Sequence, residues 1–227
     1  MSVDEIKKVI DECTKQEQKI IFEYLRLKFS IHPIEQQLNT TAEVILEAIA
    51  RASDLTLRGI RGIIAEASFK QTVVNQLTGR EDITPPGDNP YDFLLKDAIG
   101  EIRVQVKMQR LKNGHPMSAK EGYRFLSADK YVVETQRTRG GKDKTNADTR
   151  PYKFDEFDIL AVSMHPSCGN WECFLYTVSD WLLPRENNPN LLLKFQPVSK
   201  KPNSDWTDNF LFAIKWLRSV QKKKISK

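Results

Sequence analysis

The sequence has little of what builds several common classes of protein. Its three cysteines, Cys13, Cys168 and Cys173, are odd in number, scattered and without a paired CxxC, so neither a disulfide framework nor a zinc ribbon is indicated and a reducing cytoplasm is the expected setting. Its three histidines, His32, His115 and His165, stand far apart and show no HExxH or zinc-ligand spacing. No stretch approaches the ~18 apolar residues of a membrane span. The start MSVDEIKKVIDE is charged where a signal peptide would be apolar, so a soluble, unexported chain is expected. GxSxG elbow, Walker loop and dinucleotide fingerprint are all missing, which removes esterase, NTPase and Rossmann readings and leaves no reason to expect a nucleotide cofactor.

What is present is a chain of 227 residues, 40% hydrophobic and 29% charged. That is enough apolar side chain to bury a core as one α/β domain with a helical extension. A formal charge of +5 and a pI near 9.0 give a mild attraction toward polyanions, because each neutralised phosphate releases counterions.

Between Val3 and Ser30, Ile6, Val9, Ile10, Ile20, Ile21, Tyr24 and Leu25 recur at helical spacing, predicting two amphipathic helices that join near Thr14. Another helix is expected through Ala42 to Ala52, opened by a capping-type sequence at Thr40 and Thr41. From Leu57 the pattern changes. Gly59 and Gly62 precede a helix through Ile63, Ala67 and Leu77 that stops at Thr78-Gly79. The turn-rich stretch Thr84 to Pro90 leads into short strands at Tyr91 to Leu95 and Glu101 to Met108, with Asp97 to Gly100 as the hairpin turn. Later strands are expected at Tyr131 to Gln136, Phe157 to Ser163 and Trp171 to Val178, and a last helix near Asp208 to Val220.

In Glu101-Ile-Arg-Val-Gln-Val-Lys107 the alternation is unbroken. Ile102, Val104 and Val106 should face the core while Gln105 and Lys107 share the other face, roughly 7 Å apart along the strand. Asp92, in the preceding strand, can meet Gln105 across the pair. An aspartate carboxylate, a glutamine amide oxygen and the Val106 carbonyl can together hold a hard divalent cation, and Lys107 beside them can steady a phosphate or orient an attacking water. The plain alternative is a hairpin whose polar face is simply solvated.

With Pro90-Tyr91-Asp92 in the place of the PD half and Gln105-Val106-Lys107 in the place of the (D/E)xK half, the chain resembles the PD-(D/E)xK nuclease superfamily, in particular type II restriction endonucleases. Two departures stand out: Tyr91 intervenes between Pro90 and Asp92, and Gln105 replaces the usual acid. That family often carries an acidic residue on the preceding helix, and Glu66 occupies this place; as a hypothesis it supplies a second carboxylate. The resemblance implies an α/β fold with a restriction-endonuclease-like core, a central mixed β-sheet flanked by helices, over residues 57–227. An N-terminal helical region, 1–56, would serve dimerisation or clamp DNA. It further implies Mg2+-dependent hydrolysis of double-stranded DNA by Asp92, Gln105, Lys107 and Glu66, with Asp92, Gln105, Val106 and Glu66 as metal ligands, in a prokaryotic cytoplasmic homodimer.

The segment Glu134 to Lys144 gathers Arg137, Arg139, Lys142 and Lys144 around Gly140 and Gly141. It can contact backbone phosphates or read guanine edges, and an ordinary solvated loop is the plain alternative. Asp155 and Asp158 are read as structural. A structure-selective repair or resolvase nuclease and a non-catalytic DNA-binding relic remain as other uses of the same fold.

Overall fold

The computed structural model describes residues 2–29, 32–137, 141, 149–219 and 221–227. The chain divides into two compact units, residues 1–57 and 58–227.

The first unit is helical: α1 (Val3–Glu12), α2 (Lys15–Lys28), α3 (Ile34–Leu38) and α4 (Ala42–Ala50). Ser2 and Thr14 open α1 and α2 through capping boxes with Glu5 and Glu17, which satisfies backbone N–H groups that have no partner inside the helix. The junction therefore falls at Thr14, where the sequence places it. No residue of α1 or α4 is buried, and Val3, Phe22, Phe29, Val44 and Leu46 are exposed. Among the described residues of this unit, Glu35 is the charged side chain that is buried. It accepts the Ala42 N–H at 2.6 Å and lies 3.5 Å from Arg26.

Helix α5 runs Asp54–Thr72, so Gly59 and Gly62 lie inside it rather than ahead of it. Each glycine costs about 1 kcal/mol in a helix interior. Burial of Ala65 and Phe69 outweighs that cost, since an aromatic taken fully out of water contributes about 1.5–3 kcal/mol. The main sheet and the ribbon that covers it are built from β1 (Glu81–Asp82), β2 (Phe93–Lys96), β3 (Glu101–Met108), β4 (Tyr131–Glu134), β5 (Ile159–Ser163), β6 (Phe174–Val178) and β7 (Phe195–Val198), and the last long helix is α6 (Phe210–Leu217).

Five of the strands form a mixed sheet in the order β1-β2-β3-β5-β6. Only the β3–β5 pair is parallel; β1–β2, β2–β3 and β5–β6 are antiparallel. A parallel pair needs a long crossover, and the chain makes it between Met108 and Ile159 by way of β4, which pairs with β7 in a separate ribbon.

The two sheet faces bury different sets of side chains. On one, Ile102, Val104 and Val106 pack with Phe69 of α5 and with Phe210, Ala213 and Ile214 of α6. Phe69 is the hub: its ring centroid lies 5.4 Å from Phe93 and from Phe210 and 5.5 Å from Phe174. The other face carries Leu160 and Val162 against Val132, Val133, Tyr152, Phe157, Trp181 and Trp206. Helices thus cover one face, and the β4–β7 ribbon with its connecting segments covers the other. Among the described residues no helix is long and apolar enough to cross a membrane.

Candidate active site

The site lies at one end of the β2–β3 hairpin. The ladder pairs Phe93 with Val104 and Lys96 with Glu101, and it continues one step further through Asp92 N–H to the Val104 carbonyl at 3.0 Å. That register sets Asp92 opposite Gln105. Strict alternation along β3 sends Val104 and Val106 to the helix side and leaves Gln105 and Lys107 on the face of Leu160 and Val162, their register partners in β5.

This face is not solvated. Gln105 is 1% exposed and Lys107 is half-buried, so the plain reading of a wet hairpin face does not hold. Asp92 Oδ2 accepts the Val106 N–H at 2.7 Å and a hydrogen bond from Gln105 Nε2. The same amide nitrogen lies 3.2 Å from the Val106 carbonyl oxygen. A carboxylate oxygen and a carbonyl oxygen therefore converge on one donor, the Gln105 amide nitrogen.

Burial drives the electrostatics. It pushes the Asp92 carboxyl above its ordinary range, against the pull of the Lys107 charge and of the hydrogen bonds from Val106 and Gln105. Glu66, on α5, is raised to about 7, first by burial and then by the Asp92 charge, with Lys107 opposing. The helix thus brings a second carboxylate into the field of Asp92 and Lys107. Two desolvated carboxyls within each other's field, with Lys107 as the cation that opposes the shift of both, carry an electrostatic cost.

A hard divalent cation would relieve it, and the donor set suits one. Asp92 and the Val106 carbonyl present oxygen around the Gln105 amide, and Glu66 is an oxygen donor within the electrostatic reach of Asp92. The Gln105 amide presents nitrogen to its two acceptors here, and a flip of that amide exchanges nitrogen for oxygen without moving the chain. Among the described residues no group of three or more His, Cys, Asp or Glu side chains stands together to hold a metal. The centre has an amide where a third acid would complete such a group.

Tyr152 adjoins this candidate site through Lys107, although no local motif marks it. Its ring is 5% exposed, with the Lys107 ammonium 5.3 Å and the Arg137 guanidinium carbon 5.4 Å from its centroid. Burial raises the phenol, while the Lys107 charge and hydrogen bonding draw it down. The bridge between Gln136 and Pro151 and the Leu192 N–H to Tyr152 carbonyl bond of 2.9 Å bring it there. Only the position of an aromatic directly after Arg150-Pro151, at the foot of the basic loop, hinted at it.

Arg137 is paired with Glu156 at 2.6 Å; Arg139, Lys142 and Lys144 lie outside the described residues. Asp158 grips Arg103 through both oxygens, at 2.7 and 3.1 Å, and also accepts the Arg103 N–H. The Asp155 carbonyl accepts from the same guanidinium. Both act on the fold.

The sequence matches no protein-family profile and no curated protein. Among solved structures, a bacterial homing endonuclease is similar over 75% of this chain and 100% of its own, at 20% identity and a TM-score of 0.39.

Proposed function

We propose that the chain is a Mg2+-dependent DNA endonuclease with a restriction-endonuclease-like core, acting as a type II restriction enzyme on double-stranded DNA. The observation that carries this reading is the meeting of Asp92 with Gln105, Val106 and Lys107 on a buried face, within the field of Glu66. Asp92, Glu66, the Val106 carbonyl and a flipped Gln105 amide would hold the metal. Once bound there, a magnesium ion supplies charge neutralisation at the phosphate and acidifies a water molecule.

The protein's own groups do the rest. Lys107 stands beside Asp92 and Glu66, where its side chain can pair with a phosphate oxygen and orient the attacking water. Asp92 is fixed by the Val106 N–H, so its second oxygen is directed by the backbone rather than by a mobile side chain. Burial of Gln105 keeps bulk water from competing for the same acceptors.

A homodimer fits this reading, since a two-fold protein sets one centre on each strand of a duplex. Residues 1–57 carry ten acidic and seven basic side chains, although the whole chain has a net charge of +5. The exposed apolar side chains of that acidic unit favour contact with protein over a clamp on DNA.

The test is incubation of the purified protein with plasmid and phage DNA in Mg2+ or EDTA, followed by fragment sizing and end sequencing. Discrete fragments that need Mg2+ are expected. Cutting confined to branched or damaged DNA would replace restriction by a structure-selective role. No cutting at all would favour a binding relic, the reading to which the amide at position 105 points.

A further inference from the structure

We propose that Tyr152 is a positioning residue that sets Lys107 and Arg137 together against one phosphate of the DNA backbone, so that Arg137 is a phosphate ligand of the centre rather than a reader of bases. The proposal rests on the nuclease reading for the identity of the polyanion, and it stands on geometry that the catalytic trio does not use.

Lys107 and Arg137 come from β3 and from the segment after β4, and the sequence gives no reason for them to meet. They meet on Tyr152. The two cations lie at nearly equal distances from one ring, 5.3 and 5.4 Å, and the ring cannot swing away. It is 5% exposed and stands edge-on to Phe157, centroids 5.5 Å apart. A ring attracts cations, and holding two of them by one aromatic concentrates positive charge around it, which an anion relieves.

Glu156 neutralises Arg137 through Nη2 and is itself held by the Lys153 N–H at 3.0 Å. It fixes one edge of the guanidinium while the side chain remains 36% exposed. A guanidinium anchored through Nη2 with its side chain still partly exposed can take a tetrahedral oxyanion as a further acceptor. A base-reading arginine would have to reach into a groove. One that shares a buried ring with the lysine of the centre is tethered where the sugar-phosphate chain passes.

The phenol remains neutral, because burial raises it above its ordinary value. It thus offers a hydroxyl that can accept from the Lys107 ammonium. Replacing Tyr152 by Phe keeps the ring and removes this contact; replacing it by Leu removes both.

The experiment measures binding of short fluorescein-labelled duplexes in EDTA as a function of salt, for wild type, Arg137→Gln, Tyr152→Phe and Tyr152→Leu, each first checked for an unchanged melting transition. Arg137→Gln should weaken unrelated duplexes alike and lower the slope of log K against log salt by about 1, as loss of one phosphate contact requires. Tyr152→Leu should reproduce that fall. Tyr152→Phe should keep the slope and, in a parallel cleavage assay with Mg2+, lower kcat about tenfold at unchanged KM, a split that loss of a transition-state contact produces.

An unchanged slope in Arg137→Gln, or weakening confined to one duplex sequence, would overturn the proposal. If Tyr152→Leu does not fold, Tyr152→Phe decides the positioning role by its kcat, and wild-type turnover there would refute it. A slope that falls in Arg137→Gln while the wild type cuts no DNA would leave the cradle standing and remove the nuclease reading.

Discussion

The β2–β3 hairpin carries an aspartate at each end, and the structure treats them in opposite ways. Asp97, at the turn, is held by Arg218 at 2.6 Å and Arg80 at 3.4 Å and accepts the N–H groups of Ile99 and Gly100 at 2.9 and 3.2 Å. Its carboxyl is lowered to about 2, above all by the Arg218 hydrogen bond. Asp92, at the other end, has Lys107, one backbone N–H and one amide for company, and burial lifts it above its ordinary range. Fully matched charge stabilises a fold. Under-matched, desolvated charge is sustained by the rest of the core and is what a ligand can use.

The comparison is most sharply tested at Lys107. Lys107→Met should lower kcat by roughly 10²–10³-fold, the usual cost of removing one electrostatic stabiliser from a closed centre, with the melting temperature held or raised; single-turnover cleavage and calorimetry read both. At the turn the pattern reverses. Arg218→Met should leave kcat intact and lower unfolding free energy by about 2 kcal/mol, as for a hydrogen bond to a charged group, measured by urea denaturation.

The two ends should also titrate with opposite signs. Asp97 lies below its ordinary 3.8, so its contribution is present above that pH and is lost as pH falls toward about 2. Glu66 lies above its ordinary 4.5, so the folded state is favoured below that pH and loses stability as pH rises through about 7. Denaturation in EDTA across this range should show the second limb in the wild type and not in Glu66→Gln. Added Mg2+ should flatten the wild-type limb. The smallest effect is expected from Gln105→Glu, which supplies the missing acid: about tenfold tighter Mg2+ binding by calorimetry, because a carboxylate adds a full charge where the amide brings a dipole.

Much of this was legible in the sequence, for identifiable reasons. The period of two across Glu101–Lys107 and the turn at Asp97–Gly100 fix the hairpin register, and register alone puts Asp92 opposite Gln105. Thr14 with Glu17, three residues on, marks the start of α2. Other features depended on contacts between residues distant in the chain. Gly59 and Gly62 argue locally against a helix, and only the burial of Phe69 among Phe93, Phe174 and Phe210 overrides them. Nothing near Tyr152 announces Lys107, which approaches it through β3 and the return of the chain at Pro151. The burial of Gln105 was equally hidden, because an amide in an alternating strand looks the same whether water or β5 lies across from it.

The most direct measurement compares Asp92→Ala with Asp97→Ala in one plasmid-cleavage experiment with Mg2+, beside a thermal melt of each. Asp92→Ala should fold as well as the wild type and cut nothing, while Asp97→Ala should melt earlier and still cut below its transition. Cutting that survives in Asp92→Ala, or is lost from a folded Asp97→Ala, would contradict the assignment of the active end.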